Sequence, residues 1–309
     1  MNANPLTSRQ ISGRRRTRAT ARILAVLAVG ALALSACGDS DGDEVKPSGA
    51  SDFAAGSTMA KLADAGKITI GTKFDQPGFG LKNLSGKPEG FDVEVAKIIA
   101  GKLGIDEDDI TWKETPSAIR EEVIEKGEVD LVAATYTIND KRKERITFAG
   151  PYYEAGQQLM VKSDNTKITG PDTLKANPDA KVCSVAGSTP AENIREYLAS
   201  ESQLVTFDVY SKCADALRNG QVSVVTTDNV ILLGLVGQSK GAFKVVGDTF
   251  TKEPYGIGIK KGDTAFCTFI NDTLKAAASD GSYEKAWTST AGKVEGSEVP
   301  TLPTADPCA

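Results

Sequence analysis

The sequence predicts an α/β protein with two lobes, each a mainly parallel β-sheet flanked by helices. About 250 residues follow the first 57, and a body of this length can form two lobes with separate cores. Strand-like and helix-like segments alternate along this body, which is the pattern of parallel sheets. The alternation occurs in two blocks, one before and one after the segment from Phe148 to Ser163.

Within each block, apolar residues at helical spacing mark the helices, and short apolar runs mark the strands. Gly127 closes the second helix of the first block. The predicted segments of the first block are the strand Ile68–Thr72, the helix Phe91–Leu103, the helix that starts near Ile119 and the strand Val129–Ala134. Those of the second block are the strand Lys181–Val185, the helix Pro190–Ala199, the strand Gln203–Phe207, the helix Ala214–Arg218 and the strand Val222–Thr226.

Residues 1–36 have the organisation of a signal segment. Six arginines precede or border a short apolar run from Ile23 to Ala36, which is too short to span a bilayer comfortably as a mature helix. The run ends in Leu34-Ser35-Ala36-Cys37, which resembles the bacterial lipobox. That resemblance implies cleavage before Cys37, a lipid on its thiol, and anchoring at the outer face of the cell membrane. The alternative is an ordinary signal peptide with a chance cysteine.

Residues 37–57 are rich in Gly, Ser, Asp and Ala without apolar periodicity, and we predict a flexible tether. The chain carries 36 Lys and Arg against 41 Asp and Glu. Without residues 1–36, which hold six arginines and no acid, 30 basic residues stand against 41 acidic ones, a net charge of −11. This balance disfavours nucleic acid and anionic membrane as partners, so the lipid is the expected membrane contact.

Four cysteines remain after Cys37, an even number in an oxidising compartment, and they predict two disulfides. Of the three pairings, we favour Cys183–Cys213 with Cys267–Cys308, because it joins nearest neighbours and closes loops of roughly 30 to 40 residues. Four buried free thiols are the alternative. A zinc site is not expected, since the sequence lacks CxxC and histidine, and no cofactor is predicted.

Polar residues follow the predicted strands, at the carboxyl ends where open α/β sheets bind ligands. They include cations, several hydroxyls and a carboxylate, a set that complements a zwitterion with an additional negative charge. In chain order these residues are Lys73, Thr135, Thr137, Arg142, Ser188, Thr189 and Asp228.

The segment after Lys181–Val185 predicts a helix start that can bind an anion. Thr189 is the predicted N-cap, Pro190 the first helical residue, and Glu192 completes a capping box. Gly187 before them leaves backbone N–H groups free for a carboxylate. A plain capped helix is the alternative for this segment, and a solvated helix face is the alternative for the charged cluster at Arg142.

The stretch from Thr137 to Tyr153 resembles the signature T-x-T-x-x-R-x-x-x-V-x-F-S-x-P-Y of the polar-amino-acid-binding proteins of ABC importers. Asn139 replaces its second Thr, and Ala149 replaces its Ser. The similarity extends over about Lys67 to Tyr283. Actinobacterial glutamate-binding lipoproteins are the most similar members, because they share features like the segment Lys73–Gly78 and the pairing of Cys183 with Cys213. Other blocks that resemble the family are Gly90–Val95, Gly187–Thr189, Thr227–Asp228 and Tyr255–Gly258.

This resemblance implies a periplasmic-binding-protein-like fold with two hinge strands. Lobe I would comprise residues 57–154 plus 252–309, and lobe II residues 155–251. Such a protein closes on an amino acid and delivers it to the transmembrane subunits of an ABC permease.

The resemblance also implies a role for each site residue. Arg142 would bind the α-carboxylate bidentately, and Asp228 the α-ammonium group. The assisting groups would be the backbone N–H groups of Ser188 and Thr189 for the carboxylate, and Thr135 and Thr137 for the ammonium.

Arg120 bears on the side chain of the ligand. In the acidic-amino-acid binders of this family, the corresponding segment resembles N-R-I-P-x-L-x-x-G. Arg120 and Gly127 match this motif, whereas Glu121 and Glu122 depart from it. Arg120 and Lys73 would bind a side-chain carboxylate, which predicts L-glutamate or L-aspartate as ligand, because a neutral ligand would leave buried cations unpaired. The alternatives are an exposed Arg120 and a glutamine or general polar-amino-acid binder.

Two further functional classes remain as alternatives. An enzyme on this scaffold, such as a dehydratase, would need a catalytic acid in the cleft, but the cleft acids are explained by ammonium binding, so no enzyme activity is expected. A sensory binding component would have to act through a partner.

Overall fold

The computed structural model describes residues 53–294 and 297–309. The predicted signal segment, Cys37 and most of the predicted tether lie outside the described residues. The end of that tether lies inside them. The Phe53 ring packs edge-on against Phe269 with centroids 5.5 Å apart, and the Ser57 hydroxyl accepts a hydrogen bond from Ala60 N at the first helix.

Strands and helices alternate through the described residues. The strands are β1 Ile68–Thr72, β2 Asp75–Gln76, β3 Gly80–Lys82, β4 Pro88–Glu89, β5 Ile110–Glu114, β6 Leu131–Val132, β7 Thr147–Ala155, β8 Gln157–Lys162, β9 Val182–Val185, β10 Leu204–Phe207, β11 Val224–Asp228, β12 Phe243–Val246 and β13 Glu253–Ile259. The helices are α1 Thr58–Ala65, α2 Phe91–Lys102, α3 Arg120–Glu125, α4 Asp140–Lys143, α5 Thr189–Asn193, α6 Tyr210–Arg218, α7 Asn229–Gln238, α8 Thr264–Asp280 and α9 Ser282–Thr288.

Two five-stranded sheets have the same arrangement, β5-β1-β6-β13-β7 and β10-β9-β11-β8-β12. The first three strands of each order run parallel, and the fourth is antiparallel to both of its neighbours. Each sheet therefore has one reversed strand, β13 or β8. The predicted two-lobed α/β fold with mainly parallel sheets is confirmed.

We define lobe I as the first sheet with the helices that pack around it (α1, α2, α3, α8 and α9), and lobe II as the second sheet with α5, α6 and α7. The chain passes from lobe I to lobe II at Gly156, between β7 and β8, and returns between β12 and β13. The reversed strand of each sheet is thus the strand that enters from the other lobe. A small sheet, β2-β3-β4, packs on α2 of lobe I through β3 and β4 and contacts α6 and α7 of lobe II through β2.

Aromatic packing and disulfides fix the two lobes. In lobe I, Trp287 stacks on Tyr153 with ring centroids 5.2 Å apart and meets Phe91 edge-on at 5.2 Å. The burial of such large rings is a main stabilising contribution in a core. The structure contains both disulfides of the favoured pairing: Cys183–Cys213 joins β9 to α6, and Cys267–Cys308 joins α8 to the chain end.

The predicted segments differ from the structure mainly at their ends. The predicted strand Val129–Ala134 is reduced to Leu131–Val132, and the chain bends at Ala134 and Thr135, where the φ of Thr135 is 45°. The predicted helix Pro190–Ala199 is α5 followed by a 3₁₀ turn at Ile194–Tyr197. Within residues 53–294 and 297–309, no helix has the length and apolar character needed to cross a membrane.

Candidate ligand-binding site

A small cavity lies in the cleft between the lobes. The carboxyl ends of strands from both sheets converge there, as open α/β sheets favour. Lobe I contributes Ser117, Arg120, Thr135 and Thr137, and lobe II contributes Ser188, Thr189, Pro190, Tyr210, Asp228 and Ile231. Six of the eight predicted site residues therefore line this cavity, while Lys73 lies behind Ser117, and Arg142 lines an adjoining crevice.

Lys73 directly follows β1 and is buried with only 2% of its surface exposed. Its Nζ donates a hydrogen bond to Ser117 Oγ at 2.9 Å. Burial, reinforced by the positive charge of Arg120, lowers the pKa of Lys73 to about 7. The ammonium is therefore destabilised unless an anion approaches it.

Arg120 is the first residue of α3 and is also buried. Its Nη1 donates to Ala134 O at 2.7 Å, its guanidinium lies 4.0 Å from the centroid of the Tyr136 ring, and its Nε has no hydrogen-bond partner among the described residues. Burial and the nearby charge of Arg142 lower the pKa of Arg120 to about 10. The predicted alternative of an exposed helix arginine is wrong, because α3 begins against the cleft.

Arg142 is held by protein groups on both sides of the cleft. Its Nη1 donates to Thr137 O at 2.6 Å, its Nη2 donates to Gly187 O of lobe II at 3.1 Å, and its Nε pairs with Glu121 Oε1 at 3.1 Å. A guanidinium has five N–H groups. These contacts use three and leave one on each terminal nitrogen.

Glu121 is a site residue that sequence reasoning missed. In the sequence it was only a departure from a motif beside Arg120, yet the structure buries it against Arg142. Asn139, which replaces the second Thr of the family signature, accepts a hydrogen bond from Arg142 N at 2.9 Å as the N-cap of α4. Asn and Thr are both good N-caps, so this replacement preserves the turn that presents Arg142.

Thr135 adopts a strained backbone conformation at the bottom of the cavity, with φ of 45°. Such a conformation in a β-branched residue costs about 1–3 kcal/mol and persists where neighbours enforce it. Asp92 Oδ2 accepts from Thr135 N at 2.7 Å, and Thr135 Oγ1 donates to Gln76 Oε1 at 3.0 Å. Burial raises the pKa of Asp92 to about 7. Asp92 and Gln76 were not predicted as site residues, although Asp92 belongs to the Gly90–Val95 block.

The start of α5 differs from its prediction. Ser188, not Thr189, is the N-cap, because its backbone is extended and its Oγ accepts from Ala191 N at 3.1 Å. The residue three positions after Ser188 is Ala191, so the predicted capping box with Glu192 is absent from this helix. The Thr189 hydroxyl instead donates to Glu253 Oε2 at 2.6 Å and lies 3.2 Å from Thr137 Oγ1 of lobe I.

Asp228 ends β11 and is the acidic member of the cavity. Its Oδ2 accepts from Tyr255 Oη at 2.6 Å, whereas its buried Oδ1 has no partner within the described part of the chain. Burial, and then the negative charge of Glu253, raises the pKa of Asp228 to about 7. A cation at Oδ1 would stabilise the carboxylate.

The cleft therefore opposes buried cations of lobe I to a buried carboxylate of lobe II. Within residues 53–294 and 297–309, a donor on Arg120 and an acceptor on Asp228 have no partner. Buried polar atoms are nearly always hydrogen-bonded in native proteins, so such pairs of exceptions point to a ligand. A two-lobed α/β protein with this cleft has the architecture of a solute-binding protein. The chain belongs to the bacterial extracellular solute-binding proteins, family 3, whose profile matches residues 68–289.

Individual relatives are similar over most of the chain. Glutamate-binding protein GluB of Corynebacterium efficiens is 40% identical over 287 residues, 90% of this chain and 92% of that protein. The ABC transporter glutamine-binding protein GlnH of Bacillus subtilis is 40% identical over 257 residues, 82% of this chain and 90% of that protein. A solved structure of an ancestral arginine-binding protein bound to glutamine has a TM-score of 0.68 at 35% identity, covering 74% of this chain and 99% of that one.

Proposed function

We propose that this chain is the lipid-anchored substrate-binding protein of an ABC amino-acid importer and that it binds glutamate, or aspartate, between its lobes. Family membership and the similarity to a glutamate-binding protein support an amino-acid ligand. The choice of an acidic ligand rests on one observation about the cavity.

That observation is the pair Lys73 and Arg120. Both are buried, and within residues 53–294 and 297–309 neither forms a salt bridge with a carboxylate: Lys73 donates to Ser117, and Arg120 donates to Ala134 O. A buried cation without an anionic partner is costly. A side-chain carboxylate of the ligand would partner both cations and favour the protonated form of Lys73.

The remaining cavity groups recognise the α-amino-acid end. The free N–H groups of Arg142 would bind the α-carboxylate, assisted by the backbone N–H group of Thr189. The predicted help from the Ser188 N–H is wrong, because that group donates to Val185 O at 3.1 Å. Asp228 Oδ1 would accept from the α-ammonium, with Thr135 and Thr137 beside it. Because Arg142 also contacts Gly187 O of lobe II, carboxylate binding and contact between the lobes would be linked.

Calorimetric titration of the purified protein with glutamate, aspartate, glutamine and asparagine tests the proposal. We expect the acidic ligands to bind more tightly than their amides, because each amide leaves the two cations unpaired. Tighter binding of glutamine than of glutamate would contradict the acidic assignment.

A glutamine binder is the second candidate. The 40% identity to the glutamine-binding protein of Bacillus subtilis favours it, as does a pKa of about 7 for Lys73, since a deprotonated amine can accept from an amide. The same titration separates the two candidates.

Lipid anchoring and delivery to a permease complete the proposal. The lipobox-like sequence at Cys37 supports the anchor. Replacing Cys37 with Ala should release the protein into the medium with its ligand affinity intact, measured by cell fractionation and calorimetry. Retention of the Cys37→Ala protein in the membrane fraction would count against the anchor.

We further propose that the chain is not an enzyme. Its cavity acid, Asp228, is accounted for by ammonium binding. Incubation of the protein with each ligand should return the ligand unchanged, as checked by chromatography.

A further inference from the structure

The segment from Asp75 to Gly78, in and after β2 of the small sheet that packs on lobe I, contacts lobe II beside the cavity, where Tyr210 is one of the lining residues. Asp75 Oδ2 accepts hydrogen bonds from the backbone N–H groups of Tyr210 at 2.7 Å and Ser211 at 3.1 Å. These two residues begin α6, whose N-cap residue is Val209. Valine has no side-chain acceptor, so the cap that a helix normally receives from its own chain is supplied to α6 by a carboxylate of the other lobe.

A second contact lies on α7, next to the first. A Cβ atom at Gly234 would lie 2.5 Å from Pro77 O and 3.2 Å from Pro77 Cβ. Only glycine allows the backbone of lobe I to approach this closely. At Gly237, three residues further along the same helix, no atom of the described part of the chain, apart from the helix's own backbone and the adjacent residues, would lie within 4 Å of such a Cβ.

We propose that Asp75 and Gly234 form a latch that stabilises the closed form of the cleft and thereby raises the affinity for every ligand by the same factor. Neither residue lines the cavity. Both are positioning residues, because they act through contact between the lobes. This inference rests on the proposed function, namely that the lobes close on an amino acid.

The physical argument concerns the population of the closed form. When the lobes separate, the first N–H groups of α6 lose their anionic partner and Pro77 loses its contact with α7. The apparent dissociation constant equals the intrinsic constant divided by the fraction of molecules that are closed, so removal of the latch weakens binding without touching the ligand. Ligand discrimination depends on the cavity and should not change.

Gly234→Ala is the main test because it changes no charge. We expect it to lower the affinities for glutamate and glutamine by the same factor, about tenfold, because the closed form becomes less populated. Alanine favours the helix over glycine, so the thermal unfolding temperature of the ligand-free variant should not fall. Gly237→Ala is the matched control on the same helix and should bind like the wild type.

Asp75→Ala tests the other half of the latch. It should lower the affinities for both glutamate and glutamine. Asp75→Asn keeps a side-chain oxygen acceptor and should therefore lose less affinity than Asp75→Ala. Asp75 also raises the pKa of Lys73, a predicted contact of the ligand side chain. For Asp75→Ala, unlike Gly234→Ala, a small change in the glutamate-to-glutamine affinity ratio is therefore compatible with the latch.

Small-angle scattering measures the radius of gyration, which reports closure of the lobes and does not depend directly on contacts with the ligand. In saturating ligand the wild type and each variant should reach the same compact radius of gyration, and the variants should need more ligand to reach it. Wild-type affinity of Gly234→Ala, or a changed glutamate-to-glutamine ratio in that variant, would overturn the latch. Failure of the wild type to bind any amino acid would instead overturn the proposed function.

Discussion

Lobe I and lobe II have the same strand order, but they bring opposite charges to the cleft. Lobe I presents Lys73, Arg120 and Arg142, and lobe II presents Asp228 with the hydroxyls of Ser188 and Thr189. The scaffold thus fixes where side chains converge, and the residues that follow each strand fix the chemistry. A ligand with both charges needs both lobes.

Burial shifts the pKa values of the cavity cations and of the cavity acid in opposite directions. It lowers the pKa of Lys73 and Arg120 in lobe I and raises the pKa of Asp228 in lobe II, because a buried site disfavours either charge. A zwitterionic ligand reverses both effects. The predictions below each remove one side of this balance, from the largest expected effect to the smallest.

Arg142→Ala should have the largest effect, because it removes the α-carboxylate partner and leaves Glu121 buried without its cation. We expect all amino-acid ligands to lose about 3–5 kcal/mol of binding free energy. Calorimetry with glutamate and glutamine measures the loss. Arg145→Ala, an exposed neighbour paired with Glu125, is the control and should bind normally. A loss confined to glutamate would reassign Arg142 to side-chain recognition.

Asp228→Asn removes the opposing charge in lobe II at nearly constant volume. We expect every α-amino acid to lose about 2–4 kcal/mol, because the ammonium no longer meets a carboxylate. A ligand that keeps the carboxylates but lacks the amino group, such as glutarate, should be affected much less. Equal losses for glutamate and glutarate would contradict the ammonium assignment.

Arg120→Ala should change the affinities for glutamate and glutamine differently, whereas Arg142→Ala should lower both. Glutamate should lose about 2–3 kcal/mol, whereas glutamine should lose little or gain, since its amide no longer leaves a buried guanidinium unpaired. The measured quantity is the glutamate-to-glutamine affinity ratio at fixed salt. An unchanged ratio would remove the main support for an acidic ligand.

The stability of the ligand-free protein should depend on pH through Asp228. Its folded pKa, about 7, lies above its ordinary value of 3.8, so the folded state holds a proton that the unfolded state releases between those values. Stability should therefore fall as the pH rises from 4 to 7, with a slope of up to about 1.4 kcal/mol per pH unit from this group. Urea unfolding should show a shallower fall for Asp228→Asn; an identical slope in both proteins would contradict the raised pKa.

Lys73→Ala should have the smallest effect. Glutamate should lose about 1 kcal/mol, because an ammonium on a flexible stem is more readily replaced by water than a guanidinium. Lys67→Ala, an exposed lysine just before β1, is the control. A loss larger than that of Arg120→Ala would make Lys73 the principal side-chain contact.

Sequence reasoning located most of the cavity, because strand ends in parallel sheets converge at one edge. Arg120, Thr135, Thr137, Ser188, Thr189 and Asp228 were all predicted in this way or through the family signature, and all line the cavity. The N-cap at Thr189 was wrong by one residue. Both Ser188 and Thr189 have suitable hydroxyls, and only the backbone conformation decides which one accepts from the helix.

The sequence by itself determined the alternation of strands and helices and the order in which polar residues follow the strands, and it favoured the disulfide pairing that the structure contains. These features depend on local periodicity and short loops. Tertiary structure alone decided the contacts of Glu121 with Arg142, Asp92 with Thr135, and Asp75 with α6. Asp75 and Tyr210 are 135 residues apart, and no local pattern pairs a carboxylate with an uncapped helix at that distance. Such pairings arise because folding buries polar groups that must then find a partner, and that partner is whichever group the packed lobes bring near.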